Sequence, residues 1–547
     1  MAKGKGRHEK RTGPAAAWGM GLLWAVFAAA AAYMAWNLTV GFHLGDEGIA
    51  LVDAWRMTRG DAPHGDFFEI VPPFSFLPTA LVFRVFGASL QAARGLSLVY
   101  GLLLILLTDR LLARYAPQAV PRALVAGLLI PFGVFYWPMP SHHWVALLLQ
   151  LAAALALLSA LEGGRSRLLS ALCGGLSAAA AFSLQDQGLY FAAALCAGVF
   201  PWIRDRALRR RVFACWCLGA AAASSALLAW ILSRAPLGEF LYQVLRFPMA
   251  RYGELEGNRP SLLSGWGESL RILTEATFLG APAHNASLFA LTVLINLLPF
   301  LALAAGIAAY RGRWDRPERL GILAALAAAS LGTAAHRWTL LSLVWAAPPL
   351  LVWAALPLAR AGGSAAPWVR RWAAAVQALA ALLTAVFCIA YCIRTAPGNC
   401  AEVTSRAGRI RSVDRLEAHH LQETLDAIEE WVPPEAPLFC KKYLPLIGFM
   451  ARRPNPTRYN IFLYPEYNTE EQLREVIESL ESTPDAFVLV PMTREPDALD
   501  RHIAYHYRLV WKGGRTLLFA PAGAGKAPDG GAAPPEGGEA AAGAPAP

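Results

Sequence analysis

Two carboxylates stand side by side in Gly45-Asp46-Glu47-Gly48, just past a long apolar run. A carboxylate there can act as general base, taking a proton from an attacking hydroxyl or amine. The pair could also hold a divalent cation against a phosphate. The plainer reading makes Asp46 the N-cap of a helix, with Glu47 favoured by the helix dipole. A second group is Trp137-Pro138-Met139-Pro140-Ser141-His142-His143-Trp144. Its paired histidines suit phosphate binding or substrate orientation, or else are solvated members of an interfacial aromatic belt. The further ligands of a zinc site are not evident. Gln185-Asp186-Gln187-Gly188 interrupts two apolar runs. Asp186 is either a costly functional carboxylate at membrane depth or the polar tip of a hairpin in water. His336-Arg337 closes another apolar run. Arg337 could clamp a lipid-borne phosphate through paired N–H donors, or simply snorkel. Asp46, Glu47 and Asp186 with His142, His143, His336 and Arg337 form the set needed to transfer a group from a lipid phosphate. The leaving phosphate needs positive charge and the acceptor needs a base.

These groups need a scaffold, and the composition says which. Of 547 residues, 56% are hydrophobic and only 16% charged, with a mean hydropathy of +0.38. Soluble domains are about a quarter charged, so a soluble enzyme, a secreted disulfide scaffold and a disordered chain are all excluded. The expected fold is a polytopic α-helical membrane protein with about eleven spans of roughly 20 residues. They are read at 15–36, 95–112, 121–137, 144–161, 168–184, 189–203, 212–232, 286–310, 320–335, 339–358 and 372–393; the third, sixth and ninth are short. Lys and Arg concentrate in one alternate set of loops, from Lys3–Arg11 through Arg204–Arg211 to Arg370-Arg371, whereas 138–143 and 185–187 carry none. By the positive-inside rule the N-terminus is cytoplasmic, and an odd span count puts the C-terminal region on the exported side. The net charge of +10 is mostly this loop signal; no base-reading or stacking surface points to nucleic acid. The first apolar segment is too long for a signal-peptide core and reads as a retained span.

Four parts follow along the chain. Residues 1–14 are a basic cytoplasmic N-terminus, 15–393 the transmembrane domain, 394–521 an exported α/β domain, and 522–547 an Ala/Gly/Pro tail expected to be disordered. The exported domain, at about 125 residues, is large enough for its own core. Helical spacing marks Leu416 to Trp431 and Leu473 to Leu480; Phe487–Val490 reads as a buried strand, and Gly513-Gly514 as a hairpin turn. The first exported loop, 37–94, is too apolar to float free. Two amphipathic stretches, near 47–59 and 74–86, are expected to lie in the interface plane, where a lipid head group meets water. Of eight cysteines, Cys400 and Cys440 fall on the exported side and could pair if geometry allows.

The order of features in this loop resembles the GT-C glycosyltransferases, in particular the bacterial branch similar to protein O-mannosyltransferases and lipid A aminoarabinose transferases. It runs Gly45-Asp46-Glu47-Gly48, Gly60, Gly65-Asp66-Phe67-Phe68, Pro72-Pro73, Phe86-Gly87-Ala88-Ser89 and Arg94. The Gln185-Asp186 turn, His336-Arg337 and Arg452-Arg453-Pro454-Asn455-Pro456-Thr457-Arg458-Tyr459 also look like family features. The resemblance implies a polyprenyl-phosphate sugar donor, an envelope lipid, glycan or protein acceptor, and a catalytic role for Asp46 with Glu47 as its neighbour. It implies no certain cofactor, although some branches bind a divalent cation, for which Asp46 and Glu47 are the candidates here. Richness in Ala and Arg suggests a high-GC bacterial genome and an inner (cytoplasmic) membrane. The alternatives are a transporter or flippase of a lipid-linked precursor and a non-catalytic envelope assembly subunit. Paired broken spans, expected of many transporters, are not evident.

Overall fold

The structure is a computed structural model. It describes residues 14–133, 138–163, 165–254, 266–267, 269–271, 282–311, 317–335, 338–362, 364, 366–492 and 496–522. The basic N-terminus, the Ala/Gly/Pro tail beyond residue 522, and His336 and Arg337 therefore lie outside the described residues.

The expected spans all appear as helices. They are α1 (Pro14–Asn37), α4 (Leu90–Ala113), α5 (Ala119–Phe132), α6 (His142–Glu162), α7 (Ser166–Ala181), α8 (Gln185–Gly198), α9 (Arg206–Leu232), α10 (Pro282–Arg311), α11 (Pro317–Ala335), α12 (Leu340–Gly362) and α13 (Pro367–Arg394). Among the described residues, 8 helices are long and apolar enough to cross a membrane. The others are α5, α7 and α8, with 14, 16 and 14 residues. At about 1.5 Å per residue these reach only about 21–24 Å, short of a hydrocarbon core of about 30 Å. Side-chain caps start several of the helices. Ser89 accepts from Ala92 N–H, and Asp205 accepts from Ala207 and Leu208 N–H. Small residues set the closest packing. A Cβ on Gly174 would run into the backbone of α9, and one on Gly219 into that of α7, the close approach that glycine permits between membrane helices.

The loop between α1 and α4 holds α2 (Asp46–Arg59), a 3-10 turn at Pro73–Ser75 and α3 (Leu77–Phe86). The two amphipathic stretches have different surroundings. α3 buries Thr79, Ala80 and Phe83 but exposes Leu81, Val85 and Phe86, an apolar outer face suited to a membrane interface. α2 is not an open interfacial helix. It buries eight of its 14 residues because the C-terminal part of the chain covers it.

That part comprises a hairpin, β1 (Ala401–Ser405) with β2 (Gly408–Ser412), then α14 (Arg415–Trp431), β3 (Leu438–Cys440), α15 (Pro445–Ala451), α16 (Glu470–Glu481), β4 (Phe487–Pro491), α17 (Ala498–His506), β5 (Tyr507–Gly513) and β6 (Thr516–Pro521). The sheet order is β3-β4-β6-β5. β3 runs parallel to β4, and the other neighbours are antiparallel. Its core is shared rather than self-contained. Leu51, Phe67, Phe76, Phe83 and Leu90 of the loop pack in one cluster with Leu425, Ile428, Leu446 and Phe449. Phe68 joins a second cluster with Phe439, Tyr459 and Phe462. The hairpin also bonds to the end of α1: Arg411 N–H donates to Thr39 O at 2.6 Å, and Gly41 N–H to Arg411 O at 2.7 Å. Cys400 and Cys440 do not pair; both thiols are free. Cys440 sits buried in β3, where desolvation pushes its pKa up to about 12, so the thiolate needed for exchange is scarce.

Candidate active site

The site grows from the first turn of α2. Gly45 is the N-cap and makes no side-chain cap bond. Asp46 is thus the first helical residue, not the cap, and its own N–H donates to His43 Nδ1 at 2.9 Å. Its carboxylate accepts a short hydrogen bond from Tyr443 Oη. The two flanking glycines explain how Tyr443 gets there. A Cβ on Gly45 would overlap the Tyr443 ring, and one on Gly48 would overlap the backbone of Leu446. Gly-Asp-Glu-Gly is therefore a seat on which the segment before α15 comes down, with Asp46 at its edge.

Glu47 turns elsewhere. Its Oε1 accepts from Arg94 Nε at 2.8 Å and its Oε2 from Arg94 Nη2 at 2.9 Å. The side chains are 3% and 1% exposed, so this is a buried, bidentate ion pair. Arg94 also donates to the carbonyls of Leu38, Val40 and Gly41, which fixes the chain between α1 and α2. A metal ion seated on Asp46 and Glu47 would have to displace Arg94 from both Glu47 oxygens. Among the described residues, no three His, Cys, Asp or Glu side chains gather into a metal-holding group.

Two further carboxyls lie along the same helix face, and sequence reasoning passed over both. Asp53, two turns beyond Asp46, is fully buried and accepts from Asn460 Nδ2 at 2.5 Å. Glu69 is 8% exposed, and its Oε1 accepts from the Ile70 and Val71 N–H groups at 2.8 and 3.0 Å. The two carboxyls lie close enough for each to shift the other's titration. Burial, then the Glu69 charge, lifts the Asp53 pKa well above the carboxylate range. Burial raises Glu69 as well, while Asp53 and the two backbone N–H groups favour its anion. Burial thus disfavours two charges side by side here, more strongly at Asp53 than at Glu69. Behind it, Gln243 Oε1 meets Glu69 N–H at 2.9 Å and His64 Nδ1 at 3.0 Å. Burial pushes His64 down to about 4, so its ring is neutral. A carboxyl inside Phe67-Phe68-Glu69-Ile70-Val71, and a second one at helical spacing from Asp46, were the available signals. Tyr443 carried none.

The Gln185 turn is joined to the loop. Gln185 opens α8 and donates through Nε2 to Ile70 O at 3.1 Å and Val244 O at 3.0 Å. Asp186 lies in the first turn of α8 and accepts from the next N–H, that of Gln187, at 2.7 Å. The histidines open α6, which packs against the Pro73–Ser75 turn. The two rings sit 4.3 Å apart, and buried His143 stacks on Trp345 of α12 with ring centroids at 3.3 Å. The loop that carries Asp46 and Glu47 thus also touches the first turn of α8 through Ile70, and α6 through the Pro73–Ser75 turn. Neighbouring cations are Lys441 and Lys442. Lys441 is enclosed by Asp497 and Asp500, each at 2.6 Å. Lys442 is half-buried with a left-handed backbone.

No family model matches the chain, and no curated protein matches it. The fold, however, is shared with solved structures. ArnT from Cupriavidus metallidurans in the apo state aligns with 92% of this chain and 98% of its own, at TM-score 0.56 and 14% identity. The same protein bound to undecaprenyl phosphate gives TM-score 0.55 and 13% identity, over 92% and 97%. An oligosaccharyltransferase from Archaeoglobus fulgidus, in complex with Zn and sulfate, gives 0.50 and 16% over 85% of this chain and 68% of that one. The chain has the GT-C glycosyltransferase fold, with a strand-containing C-terminal part, as the resemblance in the first loop implied.

Proposed function

We propose that the chain is an integral-membrane glycosyltransferase of a bacterial inner membrane. It moves a sugar from a polyprenyl-phosphate donor to an envelope lipid, glycan or protein on the exported face. The observation that carries this reading is Asp46. Its carboxylate lies at the seam between the apolar helices and the C-terminal part, held by Tyr443, in a fold shared with a protein bound to undecaprenyl phosphate.

In this reading the acceptor O–H (or N–H) gives its proton to an Asp46 oxygen as the acceptor atom bonds to the anomeric carbon. The bond from that carbon to the phosphate oxygen breaks, and the lipid phosphate departs with the electron pair. Attack opposite the leaving group inverts the anomeric centre. His142, His143, His336 and Arg337 supply positive charge or protons to the departing phosphate, and Asp186 orients the donor from the loop side. Glu47 acts through Arg94, holding the first turn of α2 in place. The N-terminus is cytoplasmic and the C-terminal part faces the exported side.

The test is an envelope glycan mass profile of a strain lacking the protein, complemented with wild type or with Asp46→Asn at equal expression. A mass lost in the deletion should return with wild type and stay absent with Asp46→Asn. Equal restoration by both would remove Asp46 from the chemistry and put the transporter and scaffold readings ahead.

A further inference from the structure

The seam between α2 and the C-terminal part is closed at one end only. At Gly45 and Gly48 the two surfaces touch. Further along the helix they are joined by side chains, with Arg56 donating to Thr457 O at 2.9 Å, and a small solvent-open cleft remains beside them. Its polar walls are Arg56 and Arg59 from α2 and Arg453 from the end of α15. The lining holds one carboxylate, Asp61, and Arg56 Nε already pairs with it at 2.8 Å. Arg453 Nη2 has Glu429 Oε2 at 3.8 Å, so the positive charge left without a carboxylate partner in the lining is that of Arg59.

The three guanidinium groups are set differently. Arg56 is fixed by Asp61, Thr457 O and Asp66 O. Arg453 is 1% exposed and donates to Ala451 O and Val432 O at 2.9 and 2.8 Å. Its buried Nε–H has no hydrogen-bond partner among the described residues. A buried charged donor left unpaired is costly. Arg59 is exposed at the mouth, its guanidinium 5.2 Å above the Trp55 ring, and Arg452 lies over the same ring at 5.8 Å. Cation–π contact uses the faces of these groups and leaves their in-plane N–H donors available for a carboxylate or phosphate.

We propose that this cleft binds an oxyanion carried by the acceptor, a sugar carboxylate or a phosphate, and so selects acidic acceptors. This rests on the Asp46 reading, because the cleft runs along the helix that Asp46 begins. Trp55 to Arg59 stand about 14–20 Å from Asp46 along the axis. The acidic unit is therefore not the one that receives the sugar, and the acceptor is an extended chain.

The experiment measures binding, not turnover, on the purified full chain in detergent. The probes are tetragalacturonate, a phosphorylated maltotetraose and neutral maltotetraose. An acidic probe should bind at least tenfold more tightly than the neutral one and weaken with added salt. Arg59→Gln should cost about tenfold, and Arg59→Glu more, with thermal stability unchanged at this exposed position. Tighter binding of tetragalacturonate assigns a carboxylate, and tighter binding of the phosphorylated probe a phosphate. Asp46→Asn should bind like wild type, which separates this site from the base: loss of the Asp46 assignment leaves the binding result standing. Equal affinity for all three probes, or unchanged acidic-probe binding in both Arg59 variants, overturns the proposal.

Discussion

The two ends of α2 do opposite work. Its N-terminal end is acidic, with Asp46 and Glu47 in the first turn, and is pressed shut against Tyr443 and Leu446 through two glycines. Its C-terminal end is basic, with Arg56 and Arg59 in the last turn, and opens into a cleft. Both charge placements suit the helix dipole, so the helix itself gains from them. The difference lies in what covers each end. Where glycine lets backbone meet backbone, a carboxylate is held close under the C-terminal part. Where Trp55 and the arginines stand up from the helix, the surfaces meet through side chains, Arg56 on Thr457 O and Trp55 on Phe449, and a cleft remains beside them. One helix can thus hold a reacting group and a recognition surface at a fixed separation.

Even within the closed end two neighbours have different roles, and substitution should separate them most sharply. Asp46→Asn keeps the size and the Tyr443 contact but removes the base. Turnover should fall by about 10²–10⁴-fold, the usual worth of general base catalysis, while the thermal midpoint in detergent holds. Full turnover in this variant would end the contrast with Glu47. Arg94→Met should do the reverse. It strands the buried Glu47 carboxylate, and breaking such a pair costs about 3–5 kcal/mol. Here the expected readout is a lower unfolding midpoint and poor recovery of folded protein. A stable Arg94→Met chain would mean that Glu47 has water or another partner.

Some of this was legible in the sequence. Apolar run length located the helices, because a bilayer imposes a length that composition must meet. The strand at Phe487–Pro491 and the hairpin at Gly513-Gly514 followed from local chemistry alone. Asp46 stood out because a carboxylate beside an apolar run is conspicuous. Its partner did not, since Tyr443 is distant in sequence and nothing local to it indicates the contact. For the same reason the loop and the C-terminal part read as separate units although they share one core. Amphipathicity shows that a helix has a face to bury, not what buries it. α3 keeps an exposed apolar face, whereas α2 met another part of the chain. Asp53 and Glu69 were missed because each sits inside an apolar stretch whose pattern was read for packing only.

The closed end can be pried open directly. Gly48→Ala places a methyl against the Leu446 backbone, and overpacking of this kind costs about 1–3 kcal/mol. The effect on turnover should exceed the effect on binding of acidic probes in the cleft, since the seam moves at Asp46 first. Equal losses in both would show that the two ends of α2 move as one body.

The smallest expected effect tests the buried carboxyl pair. Asp53 in the folded chain has a pKa raised by burial and by the Glu69 charge. The folded state therefore binds a proton that the unfolded state releases above about pH 4. Its contribution to stability is fully present below that value and is lost as pH rises towards the raised folded pKa. Asn at this position keeps the shape and carries no proton to lose. Asp53→Asn should thus match wild type at pH 5 and become the more stable of the two as pH climbs to 9, read as thermal midpoints in detergent. Parallel midpoints across that range would mean that Asp53 is ionised in the fold. The buried pair would then be two anions, with the Arg56 charge and the Asn460 N–H donor favouring the ionised Asp53.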